Sequence, residues 1–248
     1  FEAAALLEPI CVALHAVNLS EAKFLDVAVI FGAGTIGLCI AMILRRAGVE
    51  AIYMVDRVPF RRKFAEELGA TATFAPEDAV KQLKARTGGK GCSLVLDTAG
   101  DDASLEACLQ AAASGARLAL VAIPEHDHLK YNPHQARTKE VRVINVCRST
   151  LLLREATELF SDAVAAAQLE RLVTHRLPLE DIQAAFEMAS GYKEGVIKIM
   201  LQPGLPRPCT VKRVGLLGVG PHSAPTYLDR LLKDCDVEVS YAAACGAL

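Results

Sequence analysis

The residues best placed to do chemistry are Gly32-Ala33-Gly34-Thr35-Ile36-Gly37. This G-x-G-x-x-G run follows an apolar strand-like segment and opens a helical one, the context in which it marks a dinucleotide-binding turn. Gly32 permits the tight turn, Gly34 lets the backbone approach a pyrophosphate, and Gly37 lets helix and strand pack closely. The free N–H groups of the helix start then face the phosphates. Asp56 ends the next apolar run, Tyr53-Met54-Val55, 19 residues beyond Gly37. A carboxylate there accepts hydrogen bonds from the adenosine ribose and repels a 2′-phosphate, so the pattern favours NAD over NADP.

The other candidates carry two readings each. Arg61, Arg62 and Lys63 lie five to seven residues past Asp56. They are either a solvated helix face or, at Arg61, a cation set against the ribose or its acid. Asp97 closes a strand at the edge that faces ligands in open parallel sheets, and would serve equally as a turn or helix-capping acid. His126 and His128 form an H-x-H pair without acidic or cysteine partners in ligand spacing, so a solvated loop competes with a metal site. His175 is either a strand-edge residue or a base. A second pattern, Gly218-Val219-Gly220-Pro221-His222-Ser223, has serine in place of the third glycine. It is a weaker dinucleotide signature.

These residues must be held by alternating elements. Apolar runs predict strands over 27–31, 51–55, 93–97, 117–123 and 141–146. Amphipathic stretches predict helices over 36–47, 59–68, 77–86 and 102–113, with Pro59 in a first turn and Glu77 and Asp78 suiting a positive helix end. The alternation implies right-handed βαβ units and a parallel sheet. The expected fold class is α/β, a Rossmann-type doubly wound parallel sheet. Beyond it, one helix is expected over about 151–167, another behind Pro178, and a strand over Val196–Leu201. Three prolines within 203–208 read as a linker. After it, strands over Val211–Val219 and Val237–Ala243 with a helix over Tyr227–Lys233 look like the start of a second, incomplete βαβ unit.

Composition bounds the function. The 248 residues carry 27 Lys+Arg against 29 Asp+Glu, and 52% are hydrophobic. That excludes a disordered chain, and the absence of basic excess argues against a nucleic-acid partner. Val27–Leu44 is an uncharged run of 18 residues, but its three glycines read as strand, turn and helix rather than a membrane span. The eight cysteines form no C-x-x-C pair, and most sit among apolar neighbours. A reducing, cytoplasmic setting is expected.

Leu6-Leu7-Glu8-Pro9 with His15-Ala16-Val17, the glycine turn, Asp56 through Pro59 and Arg61 to Leu68-Gly69-Ala70, Leu120 to Ile123, Lys139-Glu140-Val141, Val146-Cys147-Arg148, the run from Val173 to Phe186 and Ile197 to Leu201 together resemble the coenzyme-binding half of the zinc-dependent medium-chain dehydrogenases, on the sorbitol (polyol) branch. The resemblance covers residues 3–202. It implies a lead-in over 1–20 from an N-terminal catalytic domain, an NAD-binding domain over 21–150, a return segment over 151–202, a linker over 203–210 and a further unit over 211–248. The tail resembles, weakly, the opening of glucose–fructose oxidoreductase-like dehydrogenases.

By that resemblance, Ile36, Asp56 and Arg61 contact the adenosine and pyrophosphate part of NAD. Val121, Ala122 and Ile123, with Val146, Cys147 and Arg148, line the nicotinamide end. Glu8 lies beside a catalytic zinc, and Arg148 borders the substrate. The parent enzyme would oxidise a secondary alcohol or polyol to a ketone, as a homo-oligomer joined through the coenzyme domain, with no nucleic-acid or membrane partner. Ser149 stands where polyol enzymes often carry an aromatic residue. The zinc ligands belong to the N-terminal domain, expected upstream of Phe1, so the chain alone is expected to be inactive and its return strands to lack partners. A fused two-module oxidoreductase and an inactive NAD-binding fragment are the rival readings.

Overall fold

The computed structural model describes residues 2–124, 126, 128–150, 152–161, 163–191 and 195–202, together with the backbones of strands at 212–217 and 237–243. A short helix α1 (Glu2–Ala5) and α2 (Leu7–Leu19) lead into β1 (Val27–Phe31), α3 (Thr35–Arg46), β2 (Ala51–Val55), α4 (Pro59–Glu67), β3 (Ala72–Phe74), α5 (Pro76–Arg86), β4 (Cys92–Asp97), α6 (Asp102–Ala111), β5 (Ala112–Leu120), α7 (Pro133–Thr138) and β6 (Arg142–Asn145). The six strands form one parallel sheet in the order β3-β2-β1-β4-β5-β6. This is the doubly wound Rossmann-type order, and the chain changes direction between β1 and β4.

Local chemistry explains the elements. β1 is apolar throughout because both faces of a parallel sheet are covered. Ala28 and Ile30 point into one core with α2 and α3, while Val29 and Phe31 point into the other with α5 and α6. The uncharged run over 27–44 is therefore strand, turn and buried helix. α4 and α5 each open on proline, and α5 carries Glu77 and Asp78 in its first turn and Lys84 and Arg86 in its last, complementing the helix dipole. Asp101 caps α6, accepting from the Ser104 N–H at 2.7 Å, while the Asp101 N–H donates to Ser104 Oγ at 3.2 Å.

Several boundaries differ from the expectation. β3 is three residues long, too short for an apolar run to announce it. α6 stops at Ala111, and β5 starts at Ala112 and ends at Leu120 rather than Ile123. The N–H groups of Val121 and Ala122 both turn back to the Asp97 carbonyl, at 2.9 and 3.1 Å, which ends the ladder. The helix expected over 151–167 is two, α8 (Leu153–Leu159) and α9 (Ala163–Glu170).

The larger correction concerns the return segment. Its strands β7 (Val173–Pro178) and β8 (Lys198–Gln202) do not lack partners: they pair with each other in parallel. A 3₁₀ turn (Leu179–Asp181) and α10 (Ile182–Ser190) connect them. Ala156, Phe160, Ala165, Leu169, Leu172 and Ile197 share the core of Leu6, Ile10 and α3. Arg46 lies over the Phe160 ring at 5.9 Å, and Arg171 lies over Phe64 at 5.4 Å while pairing with Glu67 at 2.7 Å. These contacts tie the return segment to α2 and α3, while Leu153, Val164, Leu179, Ile182 and Phe186 stay exposed.

In the tail, β9 (Lys212–Leu217) and β10 (Val237–Ala243) pair in parallel, as a βαβ opening requires. The helix expected over 227–233 and the glycine pattern over 218–223 lie outside the described residues. Among the described residues, no helix is long and apolar enough to cross a membrane.

Candidate dinucleotide site

Sheet register assembles the site. Val55, Phe31, Asp97, Leu120 and Asn145 lie in one row across five strands. The next residues, Asp56, Gly32, Thr98, Val121 and Val146, line the carboxyl edge of the sheet, at the switch point where open α/β sheets bind ligands.

Gly32 has φ +103°, a region closed to most side chains, and its N–H donates to the Val55 carbonyl at 2.7 Å. A Cβ on Gly37 would stand 2.0 Å from the Gly32 carbonyl oxygen, so α3 starts tight against the turn itself. Among the described residues, a Cβ on Gly34 would meet only Arg61 Nη1, at 4.0 Å. The three positions thus do three different jobs, as the motif requires.

Asp56 is buried, 8% exposed, and both carboxylate oxygens are engaged. Oδ2 accepts from the Ala33 N–H at 2.7 Å and Oδ1 from the Val58 N–H at 2.8 Å. The acid therefore ties the end of β2 to the glycine turn. The basic cluster divides. Arg61 reaches across Gly34 and donates to the Val196 carbonyl at 3.5 Å. Arg62 donates to the Asp56 carbonyl at 2.8 Å, and Lys63 is exposed.

Asp97 takes the structural alternative. Oδ1 accepts from the Ala99 and Gly100 N–H groups at 3.0 and 3.2 Å, and Oδ2 from Ser104 Oγ at 3.3 Å. Burial raises its pKa, against those hydrogen bonds. Thr98, which sequence reasoning passed over, donates from Oγ1 to the carbonyls of Phe31 and Gly32 at 2.8 and 3.2 Å, pinning the turn to β4. A lone threonine after a strand-end acid gives no signal of that role.

At the far end, Val121 is buried, Ala122 half-buried and Ile123 exposed at 70%. Val146 is half-buried, and Cys147 and Arg148 are exposed, Arg148 with the left-handed φ of +49°. Ile36 packs against the core of α3. Glu8 sits in the first turn of α2, half-buried. Burial first and then the Glu8 charge push the Cys11 thiol up. Burial pushes Cys39 up to about 12, with Lys198 opposing and Glu8 adding. His126 and His128 are exposed, and His175 lies on β7 with Nδ1 3.0 Å from Thr174 Oγ1. Among the described residues, no group of three His, Cys, Asp or Glu side chains could hold a metal, so these residues do not fit a zinc centre.

Strand order and the glycine turn between β1 and α3 define a Rossmann-type α/β protein. The sequence profile of the zinc-binding dehydrogenases matches residues 35–166, and the chain belongs to that family. It is 27% identical over 205 residues to a sorbitol dehydrogenase of Bacillus subtilis (strain 168), covering 82% of this chain and 58% of that protein. The solved structure of 2R,3R-butanediol dehydrogenase from Bacillus subtilis superposes with a TM-score of 0.71 at 30% identity, over 80% of this chain and 57% of that one. A structure from Sinorhizobium meliloti 1021, described as a zinc-binding dehydrogenase and bound to NADP, superposes at 0.68 and 26% identity, over 79% and 58%. The chain thus spans little more than half the length of these relatives.

Proposed function

We propose that the chain binds NAD across the carboxyl edge of the sheet and is the coenzyme-binding half, residues 21–150 with the return segment 151–202, of a zinc-type alcohol or polyol dehydrogenase. The carrying observation is the buried Asp56 carboxylate bonded to the glycine turn at the Ala33 N–H, at 2.7 Å. Its remaining lone pairs would accept the ribose hydroxyls, and its charge would repel a 2′-phosphate. Ile36 and Arg61 complete the adenosine–pyrophosphate side. Val121, Ala122, Ile123, Val146 and Cys147 line the nicotinamide side. The family likeness supports a small-molecule alcohol or polyol substrate.

In the whole enzyme, the hydride on the carbinol carbon of a secondary alcohol would pass to the nicotinamide ring as the hydroxyl proton leaves, giving a ketone, NADH and a proton. The described residues of this chain bind and orient the cofactor. Glu8 and Arg148 would border the reacting centre, and the left-handed backbone at Arg148 supports a functional constraint there. The exposed edge of β6, with Val143 40% exposed, supports pairing of two coenzyme domains edge to edge.

The test is fluorescence titration of the full chain with NADH and NADPH, repeated with Asp56→Gly. We expect NADH to bind more tightly in the wild type and the preference to vanish in the variant. Failure to bind NADH, or tighter NADPH binding, overturns the cofactor assignment.

A further inference from the structure

We infer that the carbonyls of Val196 and Ile197 form a positioning strap that aims Arg61 at the diphosphate of a dinucleotide over Gly34. The inference rests on the dinucleotide reading above. The return segment crosses the glycine turn at this point. Thr35, the first residue of α3, donates from Oγ1 to the Ile197 carbonyl at 3.2 Å. The Val196 carbonyl accepts from Arg61 Nη2 at 3.5 Å, while Nη1 of the same guanidinium lies beside Gly34. Two consecutive carbonyls therefore hold Thr35, which follows Gly34 in the turn, and Arg61, which lies beside it.

The strap is anchored from behind. Val196 and Ile197 are only 3% and 7% exposed, and Ile197 belongs to the core shared with α3. The Ile197 N–H donates to Thr174 Oγ1 at 3.0 Å, and that hydroxyl donates to the Lys198 carbonyl at 3.3 Å. A long guanidinium arm loses rotamer entropy when it is fixed against an anion. A carbonyl partner fixes the arm beforehand and brings no negative charge of its own to compete with phosphate oxygens. Thr35 acts through the strap and is a positioning residue.

The test is calorimetric titration of the full chain with ADP-ribose, which carries the diphosphate, and with adenosine, which does not. Thr35→Val should weaken ADP-ribose binding about three- to tenfold, the worth of one hydrogen bond, and leave adenosine unchanged. Thr35→Ser, which keeps the donor, should restore binding. In an Arg61→Met background, Thr35→Val should add little, because the strap would have no guanidinium left to aim. Undiminished ADP-ribose binding in Thr35→Val, equal loss of both ligands, or full additivity with Arg61→Met each overturns the inference. Full additivity would mean that Thr35 contacts the ligand directly. If the wild type binds no ADP-ribose, the dinucleotide reading falls as well. If the wild type binds and only the Thr35 arm fails, that reading stands.

Discussion

Asp56 should stabilise the fold in the absence of any cofactor, and a graded pair of variants tests this. Its two oxygens accept two different backbone donors, Ala33 N–H at 2.7 Å and Val58 N–H at 2.8 Å. Asn offers one acceptor oxygen, so Asp56→Asn satisfies one donor and strands the other. Ala33 is fully buried and Val58 half-buried, so the amide oxygen should turn to Ala33 and leave Val58 to water. The charge assistance is lost, and the cost is about 1 kcal/mol. Asp56→Ala strands the buried Ala33 N–H outright and removes both charge-assisted bonds, at a cost of roughly 3 kcal/mol. For a chain of this size that predicts melting temperatures lower by roughly 2–4 °C and 6–12 °C. Urea titration without cofactor should show lower midpoints at unchanged slope. If Asn costs as much as Ala, or neither variant moves the midpoint, the two-donor argument is refuted.

Gly37→Ala places a Cβ 2.0 Å from the Gly32 carbonyl oxygen, backbone that can yield only if the turn shifts. We expect a loss of about 1–3 kcal/mol and markedly weaker NADH binding, read by urea titration and fluorescence. Asp26 pairs with Arg117 across buried surface and also accepts from Ser93 Oγ at 2.7 Å and the Lys23 N–H at 2.6 Å. Burial alone would raise its pKa, but the bonds from Arg117, Ser93 and Lys23 win and hold it below the usual carboxylate value. A depressed folded pKa contributes stability above the unfolded value of about 3.9, lost as pH falls through the lower folded value. Asp26→Asn should therefore flatten the acid limb of the stability–pH curve below about pH 4. Arg117→Leu, which leaves the carboxylate unpaired, should cost about 3–5 kcal/mol in the same denaturation assay. Cys11, Cys39, Cys92 and Cys108 are buried with raised thiol pKa values, whereas Cys147 is exposed. Iodoacetamide on the native protein should label Cys147 before those four, as peptide mapping would show.

Residue order alone specifies the local architecture. The order glycine, x, glycine after a β-branched run specifies strand, turn and helix within a dozen residues, because Gly32 alone can take φ +103° there and Gly37 alone fits under the turn. Strand–helix alternation and acidic or proline helix starts specify the doubly wound sheet, and the acid after β2 ties that strand to the glycine turn. Tertiary structure decided the rest, because its contacts join residues far apart in the chain that no spacing rule relates. Thr35 meets Ile197 across 162 positions, Arg61 meets Val196 across 135, and Arg171 meets Glu67 across 104. The basic run over 61–63 was ambiguous in sequence since three adjacent cations on a helix point different ways. Only the packed core, by fixing where the return segment crosses the turn, sent Arg61 to Gly34 and Arg62 to the Asp56 carbonyl. The pairing of β7 with β8 is likewise illegible in sequence, because it joins Val173–Pro178 to Lys198–Gln202 across an intervening helix while Phe160, Leu169 and Leu172 pack into the core of α2 and α3.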